Sequence, residues 1–209
     1  MDILKKYFPD LTEMQLEQLA RLPQLYKEWN AKINVISRKD VDNIEGRHIL
    51  HSLSLIPIVR FRSGADILDL GTGGGFPGIP LAIFYPDVNF HLVDGTAKKI
   101  RVVQEIIDAL GLKNVKAEQM RAEEIKNKRY DFVACRAVAS IDKLHNWTLR
   151  LFKKEHQHAL PNGLLTLKGG DLTKELKLLP KGNYVEKYRI QDFFKEDYFE
   201  EKYVVYLQG

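Results

Sequence analysis

The segment from Ala65 to Ala82 reads Ala-Asp-Ile-Leu-Asp-Leu-Gly-Thr-Gly-Gly-Gly-Phe-Pro-Gly-Ile-Pro-Leu-Ala. Its apolar start predicts a short, buried parallel strand. The glycines that follow permit a tight turn and let backbone N–H groups come close to a ligand. An apolar segment with Pro77 and Pro80 near its start then predicts a helix. Strand, glycine turn and helix together form a nucleotide-binding crevice at the carboxyl end of a strand.

Two acidic residues indicate which nucleotide the crevice binds. Gly73, Gly75 and Gly78 match the dinucleotide pattern Gly-x-Gly-x-x-Gly, but this spacing alone is weak evidence. Asp69 precedes the first glycine by two residues, where it would repel a pyrophosphate and attract a cationic ligand. Asp94 ends the next predicted strand about 20 residues later, where a ribose-binding carboxylate belongs. The pattern resembles motif I of methyltransferases that use S-adenosylmethionine, a cofactor with an ammonium, a sulfonium and no phosphate.

Composition and charge limit the class of protein. The chain has 209 residues, 44% of them hydrophobic and 29% charged, which predicts a globular domain with an extension. The net charge of +4 permits a nucleic-acid partner without requiring one. A lone cysteine and the absence of a signal peptide or an 18-residue apolar segment predict a cytoplasmic protein with no membrane partner. The absence of heptads or a long exposed apolar helix predicts a monomer.

Hydrophobic periodicity divides the chain into two parts. Residues 1–62 form a predicted N-terminal helical extension, in which Thr12 and Gln15 make a capping box and a second helix follows Asp40. Residues 63–209 alternate strands and helices, which predicts one compact α/β domain with right-handed crossovers. Its sheet is predicted to have seven mostly parallel strands with an antiparallel final strand. The predicted strands span about 66–70, 90–94, 115–119, 130–135, 164–168, 184–190 and 203–208.

Six motifs resemble those of a single family. They are Arg47-His-Ile-Leu-His-Ser-Leu53, Gly71-Thr-Gly-Gly-Gly-Phe-Pro-Gly-Ile-Pro80, Leu92-Val-Asp94 with Lys98-Lys99, Arg121-Ala-Glu-Glu124, Cys135-Arg-Ala-Val-Ala139 and Leu167-Lys-Gly169. The chain thus resembles the methyltransferase G family of bacterial small-subunit ribosomal RNA, formerly called glucose-inhibited division protein B. The resemblance implies a Rossmann-like class I S-adenosylmethionine-dependent methyltransferase that modifies guanine N7 in the decoding-region loop of 16S ribosomal RNA. His51 differs from the aspartate that is frequent at its position, and Asn34-Val-Ile replaces Asn-Leu-Thr.

The glycine turn and the two acids supply the first candidate cofactor-binding residues. We expect the backbone of Gly71 and Gly73 to approach the cofactor closely. We expect Asp69 on its cationic side and Asp94 on its ribose hydroxyls.

The family resemblance adds four more. It implies that Phe76 flanks the cofactor and that Ala122 and Glu123 border the adenine. Arg136 is implied to lie beside the cofactor and the incoming guanine as a positioning group. An ion pair with Asp69 or Glu123 is the alternative for Arg136, and a solvated face is the alternative for Glu123.

The implied chemistry needs alignment more than proton transfer. Guanine N7 has an in-plane lone pair and no proton, so we expect no general base. Proximity and orientation can supply roughly 7–11 kcal/mol of the barrier at best. Cys135, next to Arg136, is an alternative nucleophile for pyrimidine C5 methylation, but a free cysteine is more often a small buried hydrophobe. His156 and His158 make only half a metal site, and we assign no metal.

Two basic clusters are candidates for contacting 16S ribosomal RNA or the small ribosomal subunit. Arg47, His48 and His51 share a predicted helix, with the first and last four residues apart on one face. Lys98 and Lys99 crowd the start of the next helix, where cations oppose the helix dipole unless a phosphate offsets that cost. A solvated basic face is the alternative for each cluster.

Two other functions stay open on the sequence. The first is a nicotinamide-dependent (NAD) oxidoreductase, because the glycine spacing also fits a dinucleotide. The second is a catalytically silent RNA-binding module whose crevice is vestigial. For the methyltransferase, the sequence leaves open whether the substrate is naked rRNA, a subunit or an assembly intermediate.

Overall fold

A single seven-stranded sheet forms the centre of the molecule. The computed structural model describes residues 2–37 and 40–209. The strands are β1 Asp66–Leu70, β2 Asn89–Asp94, β3 Val115–Gln119, β4 Phe132–Arg136, β5 Gly163–Gly169, β6 Val185–Arg189 and β7 Lys202–Gln208. Their order is β3-β2-β1-β4-β5-β7-β6; β7 is antiparallel to both β5 and β6, and all other pairs are parallel. The predicted α/β fold with an antiparallel final strand is confirmed.

The order of strands places a crevice at the end of β1. The chain adds β2 and β3 on one side of β1, and β4 and β5 on the other. In such sheets, ligands bind outside the carboxyl ends of the strands where this order reverses. The carboxyl ends of β1, β2 and β4 carry Leu70, Asp94 and Arg136. The acid of the second strand and the arginine of the fourth therefore lie at the same edge as the glycine turn.

Seven α-helices accompany the sheet in the described residues. They are α1 Asp2–Tyr7, α2 Glu13–Asn30, α3 His51–Leu53, α4 Gly78–Phe84, α5 Ala97–Leu110, α6 Ile141–Thr148 and α7 Thr173–Lys177. The predicted capping box of Thr12 and Gln15 opens α2. Gly111, with a φ of 65°, ends α5 in the left-handed conformation that glycine adopts without strain. Within the described ranges, none of the helices is long and apolar enough to cross a bilayer.

The second N-terminal helix differs from its prediction. The single helix expected after Asp40 is a 3₁₀ turn over Val41–Asn43, a π-helix over Glu45–Leu50 and the short α3. A π-helix bonds residue i to residue i+5, so residues four apart are not stacked as in an α-helix. His51, the first residue of α3, is only 5% exposed, and it does not share a solvent-facing surface with Arg47. Apolar periodicity does not distinguish a π-turn from an α-turn, which is why the sequence missed it.

The N-terminal helices share one core with the sheet. Leu19 and Leu22 of α2 lie in the same buried cluster as Ile79 and Leu92 of the α/β part. Burial of each such side chain stabilises the fold by about 1.5–3 kcal/mol. The predicted division between residues 62 and 63 stays a prediction, and the hydrophobic core crosses it.

Polar side chains of α2 reinforce this packing by capping other helices. Gln15 Nε2 donates to the carbonyls of Ile83 and Phe84 at the end of α4, at 3.1 and 2.9 Å. Gln18 Nε2 donates to the carbonyl of Leu110 at the end of α5, at 3.0 Å. The last carbonyls of a helix have no partner within it, so these bonds satisfy groups that would otherwise need water. The N-terminal extension therefore holds the two helices that flank the glycine turn.

Gly78→Ala should lower the free energy of unfolding by about 1–3 kcal/mol, because overpacking a tight site costs that much. A Cβ at Gly78 would lie 2.7 Å from both Asp69 Oδ2 and Leu92 Cγ. The matched control is Gly46→Ala, where a Cβ meets nothing within 4 Å. This change should be neutral or stabilising by up to about 1 kcal/mol, since alanine favours helical backbone. Urea unfolding followed by circular dichroism measures both, and equal effects would contradict the packing argument.

Candidate functional site

The glycine turn after β1 has a backbone that other residues adopt with difficulty. Gly71, Gly73 and Gly75 have φ values of 67°, 58° and 97°. A Cβ at Gly71 would lie 2.7 Å from Val138 Cγ2, so the turn after β4 packs directly on this glycine. A Cβ at Gly73 would meet only the Gly71 carbonyl, at 4.0 Å. The turn is therefore tight against the protein at Gly71 and open at Gly73.

Asp69 is a buried brace beneath this turn. Its Oδ2 accepts hydrogen bonds from Thr72 Oγ1 at 2.6 Å and from the Gly78 N–H at 2.8 Å. Its Oδ1 is buried and has no hydrogen-bond partner among the described residues. Burial raises the pKa of Asp69 to about 7, against the opposing effect of the two donors. Asp69 is fully buried rather than exposed in the crevice, so its predicted contact with a cationic ligand stays a prediction.

The start of α4 has few donors left for a phosphate. The Gly78 N–H is bound by Asp69, and the Ile79 N–H donates to the Gly75 carbonyl at 2.8 Å. The Gly75 N–H donates to the Thr72 carbonyl at 2.9 Å. Pyrophosphate binding relies on free N–H groups at this position together with the positive end of the helix. Here those groups bond to the protein and a carboxyl lies beneath them, which disfavours a dinucleotide.

Tyr26 fixes the turn from the side of the N-terminal extension. Its hydroxyl donates to the Gly74 carbonyl at 2.5 Å, and its ring lies 4.7 Å from the ring of Phe76. Burial raises the pKa of Tyr26 well above its usual value, so the hydroxyl keeps its proton. Sequence reasoning placed this tyrosine in the apolar stripe of α2 and missed the contact. The signal available was its hydroxyl, since a buried tyrosine usually finds a polar partner.

A cleft of about 320 Å³ opens beside the turn. This volume lies at the lower end of the range for small-molecule sites. Four predicted residues line it, namely Gly71, Asp94, Ala122 and Glu123. Sequence reasoning missed other lining residues, including Thr96, Met120, Val138 and Trp147. Trp147 belongs to α6, and its helical spacing gave no sign that one edge of the ring faces a cleft.

Asp94 is held in place at the mouth of this cleft. Its Oδ2 accepts from the Gly73 N–H at 3.0 Å, and its Oδ1 accepts from the Thr96 N–H at 2.8 Å. Lys99 Nζ lies 3.8 Å from Oδ2. Each carboxylate oxygen has two lone-pair directions, so each keeps one for a ligand. The geometry suits a carboxylate that accepts hydrogen bonds from a pair of hydroxyl groups.

Arg136 leaves the end of β4 and packs onto the N-terminal extension. Its Nη2 contacts His48 Nδ1 at 2.7 Å, and its Nη1 donates to the Arg47 carbonyl at 3.3 Å. Its guanidinium lies over the ring of Phe76, 5.0 Å from the centroid. The expected alternative, an ion pair with Asp69 or Glu123, is not formed.

His48 acts here as an acceptor and not as a cation. Burial, followed by the charge of Arg136, lowers the pKa of His48 to about 3. The imidazole is therefore neutral, and its unprotonated Nδ1 accepts from the guanidinium. Its ring also lies 5.0 Å from that of Phe76.

The next residue after Arg136 is Ala137, whose φ of 53° is uncommon for a residue with a Cβ. Such strain typically occurs at sites that position functional groups.

The predicted RNA contacts do not form one surface. Lys98 is exposed, whereas Lys99 turns toward Asp94. Arg47 Nη1 is bonded to Asp40 at 2.8 Å and is half-buried. The predicted RNA contact of His51 stays a prediction, and its ring is buried and packs edge-on against the rings of Tyr198 and Phe199. Nδ1 of His48 is bonded to Arg136, so this nitrogen is not available for the predicted RNA contact.

The two alternative chemistries raised by the sequence have no support in the structure. Cys135 is fully buried, and burial raises the pKa of its thiol to about 12, so no thiolate forms at neutral pH. His156 Nδ1 accepts from the Asn162 N–H at 3.0 Å, and His158 Nε2 accepts from the Arg62 N–H at 3.1 Å. Within residues 2–37 and 40–209, no cluster of histidine, cysteine or acidic side chains is arranged to hold a metal.

Three comparisons with known proteins bear on this site. The sequence model of the family described as rRNA small subunit methyltransferase G matches residues 15–197. A "Ribosomal RNA small subunit methyltransferase G" from Flavobacterium johnsoniae is 52% identical over 207 residues, covering 99% of this chain and 97% of that protein. The protein of the same name from Bacteroides thetaiotaomicron is 50% identical over 208 residues and covers 100% of both chains.

Solved structures with low identity share the fold. Precorrin-6y C5,15-methyltransferase from Geobacter metallireducens superposes with a TM-score of 0.55 at 14% identity, covering 85% of this chain and 92% of that one. A SAM-dependent methyltransferase from Aquifex aeolicus gives a TM-score of 0.55 at 18% identity, covering 79% and 96%. The seven-stranded sheet therefore shares its fold with these two structures.

Asp69→Asn should remove a pH dependence of stability. The pKa of Asp69 is about 7 in the folded state and near 3.8 when unfolded. Between these values the unfolded carboxyl has lost its proton and the folded one keeps it, so the wild type loses stability as pH rises. Relative to Asp69→Asn, its free energy of unfolding should fall by up to about 1.4 kcal/mol per pH unit.

Unfolding titrations from pH 4.5 to 6.5 measure this difference. The exposed Asp171, whose pKa is lowered chiefly by a hydrogen bond from Thr173, provides the control. Relative to Asp171→Asn, the wild type should show no such fall in its free energy of unfolding across this window. Parallel curves for the wild type and Asp69→Asn would contradict the buried, protonated carboxyl.

Proposed function

Because this chain belongs to the rRNA small subunit methyltransferase G family, we propose that it methylates N7 of a guanine in the decoding-region loop of 16S ribosomal RNA. The enzyme is an rRNA methyltransferase, and its methyl donor is S-adenosylmethionine. Beyond rRNA methylation itself, the proposal specifies the modified atom, guanine N7, and its place in the RNA. We also propose that the enzyme is a monomer and that it acts in the cytoplasm, where the rRNA is made.

One observation carries the choice of cofactor. The N–H groups at the start of α4 are bonded within the protein, and the buried carboxyl of Asp69 lies directly beneath them. This arrangement leaves a pyrophosphate no free donors at the helix start, whereas a cationic ligand does not need them. The NAD-dependent alternative therefore has no support. The open face of Gly73 and the unpartnered Oδ1 of Asp69 both fit a ligand with a positively charged end.

The cleft residues divide the proposed binding between them. Asp94, fixed by two backbone N–H groups, would accept from the ribose hydroxyls. Ala122, Glu123 and Trp147 line the cleft and would enclose the adenine. The backbone at Gly71 and Gly73 would border the remainder of the cofactor. When bound there, S-adenosylmethionine supplies a methyl group on a positively charged sulfur.

The chain's own groups need only to orient the base. Guanine N7 has a lone pair and no proton, so no side chain has to act as a general base. Arg136 carries donors in a fixed fork, and guanine presents O6 as an acceptor beside N7. We assign Arg136 to hold O6, which leaves the N7 lone pair free. Orientation of this kind can contribute roughly 7–11 kcal/mol at best.

Contacts to the RNA backbone complete the proposal. Lys98 and Lys99 lie at the start of α5, beside the acid of the cleft. Arg47 lies on the N-terminal extension next to the guanidinium of Arg136. We propose these three cations as phosphate contacts around the target nucleotide. Phosphate contacts fix register and supply most of the affinity for RNA, and they carry no sequence information.

Transfer of a tritiated methyl group tests the function directly. We expect the wild type to label 16S rRNA or the small subunit, and mapping of the labelled base to place the methyl on guanine N7. Titration calorimetry should show heat with S-adenosylhomocysteine and none with NAD. Gly73→Asp should abolish labelling and leave RNA affinity unchanged. Label on another base, or binding of NAD, would overturn the proposal, and an absence of label would favour the silent RNA-binding alternative.

His48→Ala should lower kcat/KM for methyl transfer about tenfold or more, because a hydrogen bond to a charged group contributes about 1.5–3 kcal/mol. The loss comes from Arg136, which no longer has the Nδ1 acceptor at 2.7 Å. His48→Asn should recover part of the rate, since its side-chain oxygen also accepts. The wild-type profile should show no ionisation of His48 between pH 5.5 and 8, because its pKa is about 3.

A salt series separates this role from direct RNA contact. A positioning residue leaves the dependence of RNA affinity on salt unchanged, whereas a phosphate contact reduces its slope by about 0.7 for single-stranded RNA. We expect equal slopes for the wild type and His48→Ala. A reduced slope with an unchanged kcat would show that His48 binds phosphate instead.

A further inference from the structure

A surface at the far edge of the sheet is not used by the proposed reaction. After β5 ends at Gly169, the chain forms α7 and reaches β6 at Val185. Val185 pairs with Leu207, which also pairs with Leu164 near the start of β5. The connecting segment 170–184 therefore runs from the end of the sheet that carries the cleft to the opposite end. Since β6 is an edge strand, this segment lies at the border of the molecule.

An apolar groove lies between α7 and β6. Its volume is about 310 Å³. Its floor is formed by Leu176, Leu179 and Val185, all of them half-buried, and by Pro180. Beside it, Leu178 is 65% exposed, which is unusual for a large apolar side chain. The groove offers a flat apolar group a place to lie, and its volume is of the order that small-molecule sites occupy.

Lysines surround this floor. Lys181 and Lys187 line the groove, and Lys174 and Lys177 are exposed residues of α7. The acid on this helix, Glu175, faces the protein: its Oε2 accepts from Lys168 Nζ at 2.8 Å and from the Ile141 N–H at 3.0 Å.

Asp171 is an exposed carboxylate close enough to two of these lysines to feel their charge. Its pKa is lowered first by a hydrogen bond from Thr173, and further by the charges of Lys187 and Lys177. The four exposed lysines outnumber Asp171 and the half-buried Glu186, whose carboxylate accepts from the hydroxyls of Tyr184 and Tyr188, so the surface is positive. The four lysines are distributed over α7, the segment that follows it, and β6.

We propose that this groove binds a second, unpaired nucleotide of the ribosomal RNA, with its base on the apolar floor and its phosphates on the lysines. The inference rests on the proposed function, since it concerns where the same RNA docks. Loops of rRNA present unstacked bases, and proteins commonly read them with apolar or aromatic surfaces bordered by cations. The surface would hold the RNA at a distance from the target guanine and add to its affinity.

The charge of the surface selects RNA over other occupants. A second copy of this chain would bring four further lysines against the first four if it docked through the same groove, and like charges repel. A purely apolar peptide would leave those lysines without counter-charges. A polyanion with flat apolar groups would pair with the lysines and also cover the apolar floor of the groove. Single-stranded RNA has this chemistry.

Charge reversal at the rim tests the proposal. Lys181→Glu with Lys187→Glu should weaken binding to 16S rRNA roughly tenfold or more and reduce the salt slope by about 1.4, for two lost phosphate contacts. The matched control, Lys113→Glu with Lys154→Glu, makes the same change in net charge at exposed positions away from the groove. Lys113 lies two residues before β3, at the opposite edge of the sheet. Filter binding at several salt concentrations measures both pairs.

The floor is tested by a smaller change. Leu179→Ala should weaken RNA binding about fivefold, because stacking on an apolar surface contributes about that much per base. Leu149→Ala, at an exposed leucine next to α6, is the control and should have no effect. Thermal melting confirms that each variant is folded. At saturating RNA, kcat for methyl transfer should match the wild type in every variant.

The outcomes separate this inference from the proposed function. If the wild type transfers methyl to rRNA but the groove variants bind like their controls, the groove is not an RNA site. If sedimentation shows that the wild type dimerises and the groove variants do not, the surface is an interface between copies and the inference is overturned. If the wild type transfers no methyl to rRNA yet the groove variants lose RNA affinity, the proposed function fails and the groove remains an RNA site.

Discussion

The buried carboxyl of Asp69 is the constraint on which the cleft depends. One of its oxygens accepts from Thr72 in the glycine turn and from Gly78 at the start of α4. A carboxyl removed from water is costly unless such donors compensate it, and here burial still raises its pKa to about 7. Asp69 thereby fixes the glycine turn at both ends, to β1 before it and to α4 after it. The same bonds occupy the helix start that a dinucleotide would need, so one interaction sets both geometry and ligand class.

The N-terminal extension completes the site instead of merely covering it. Tyr26 bonds the carbonyl of Gly74, and His48 accepts from Arg136. The ring of Phe76 lies between these contacts, against Tyr26 and His48 and beneath the guanidinium. Two residues of the α/β part are thus held by two residues of the extension. This shared packing gives a physical reason for the extension, because without it both the turn and the arginine would lose their partners.

The sequence predicted those features that local patterns determine. The bounds of α5 and β3 agree with prediction, since an amphipathic pattern ends at Gly111 and a short strand follows. The positions of the two acids were predicted as well, but not which way Asp69 turns, because spacing does not state whether a side chain faces the ligand or the backbone. The π-helix over Glu45–Leu50 and the tertiary contact of Tyr26 left no local pattern to detect. The burial of His51 against Tyr198 and Phe199 is likewise a tertiary contact.

The ionisable groups around the cleft suit a reaction that moves no proton. The pKa of His48 is about 3 and that of Cys135 is about 12, so neither exchanges a proton near neutral pH. Asp69 has a suitable pKa of about 7, yet it is fully buried and its accepting oxygen is bonded within the protein. A general base must reach the proton that it removes, and Asp69 does not. A nucleophile that already carries a free lone pair, such as guanine N7, is the kind of acceptor that this site can use.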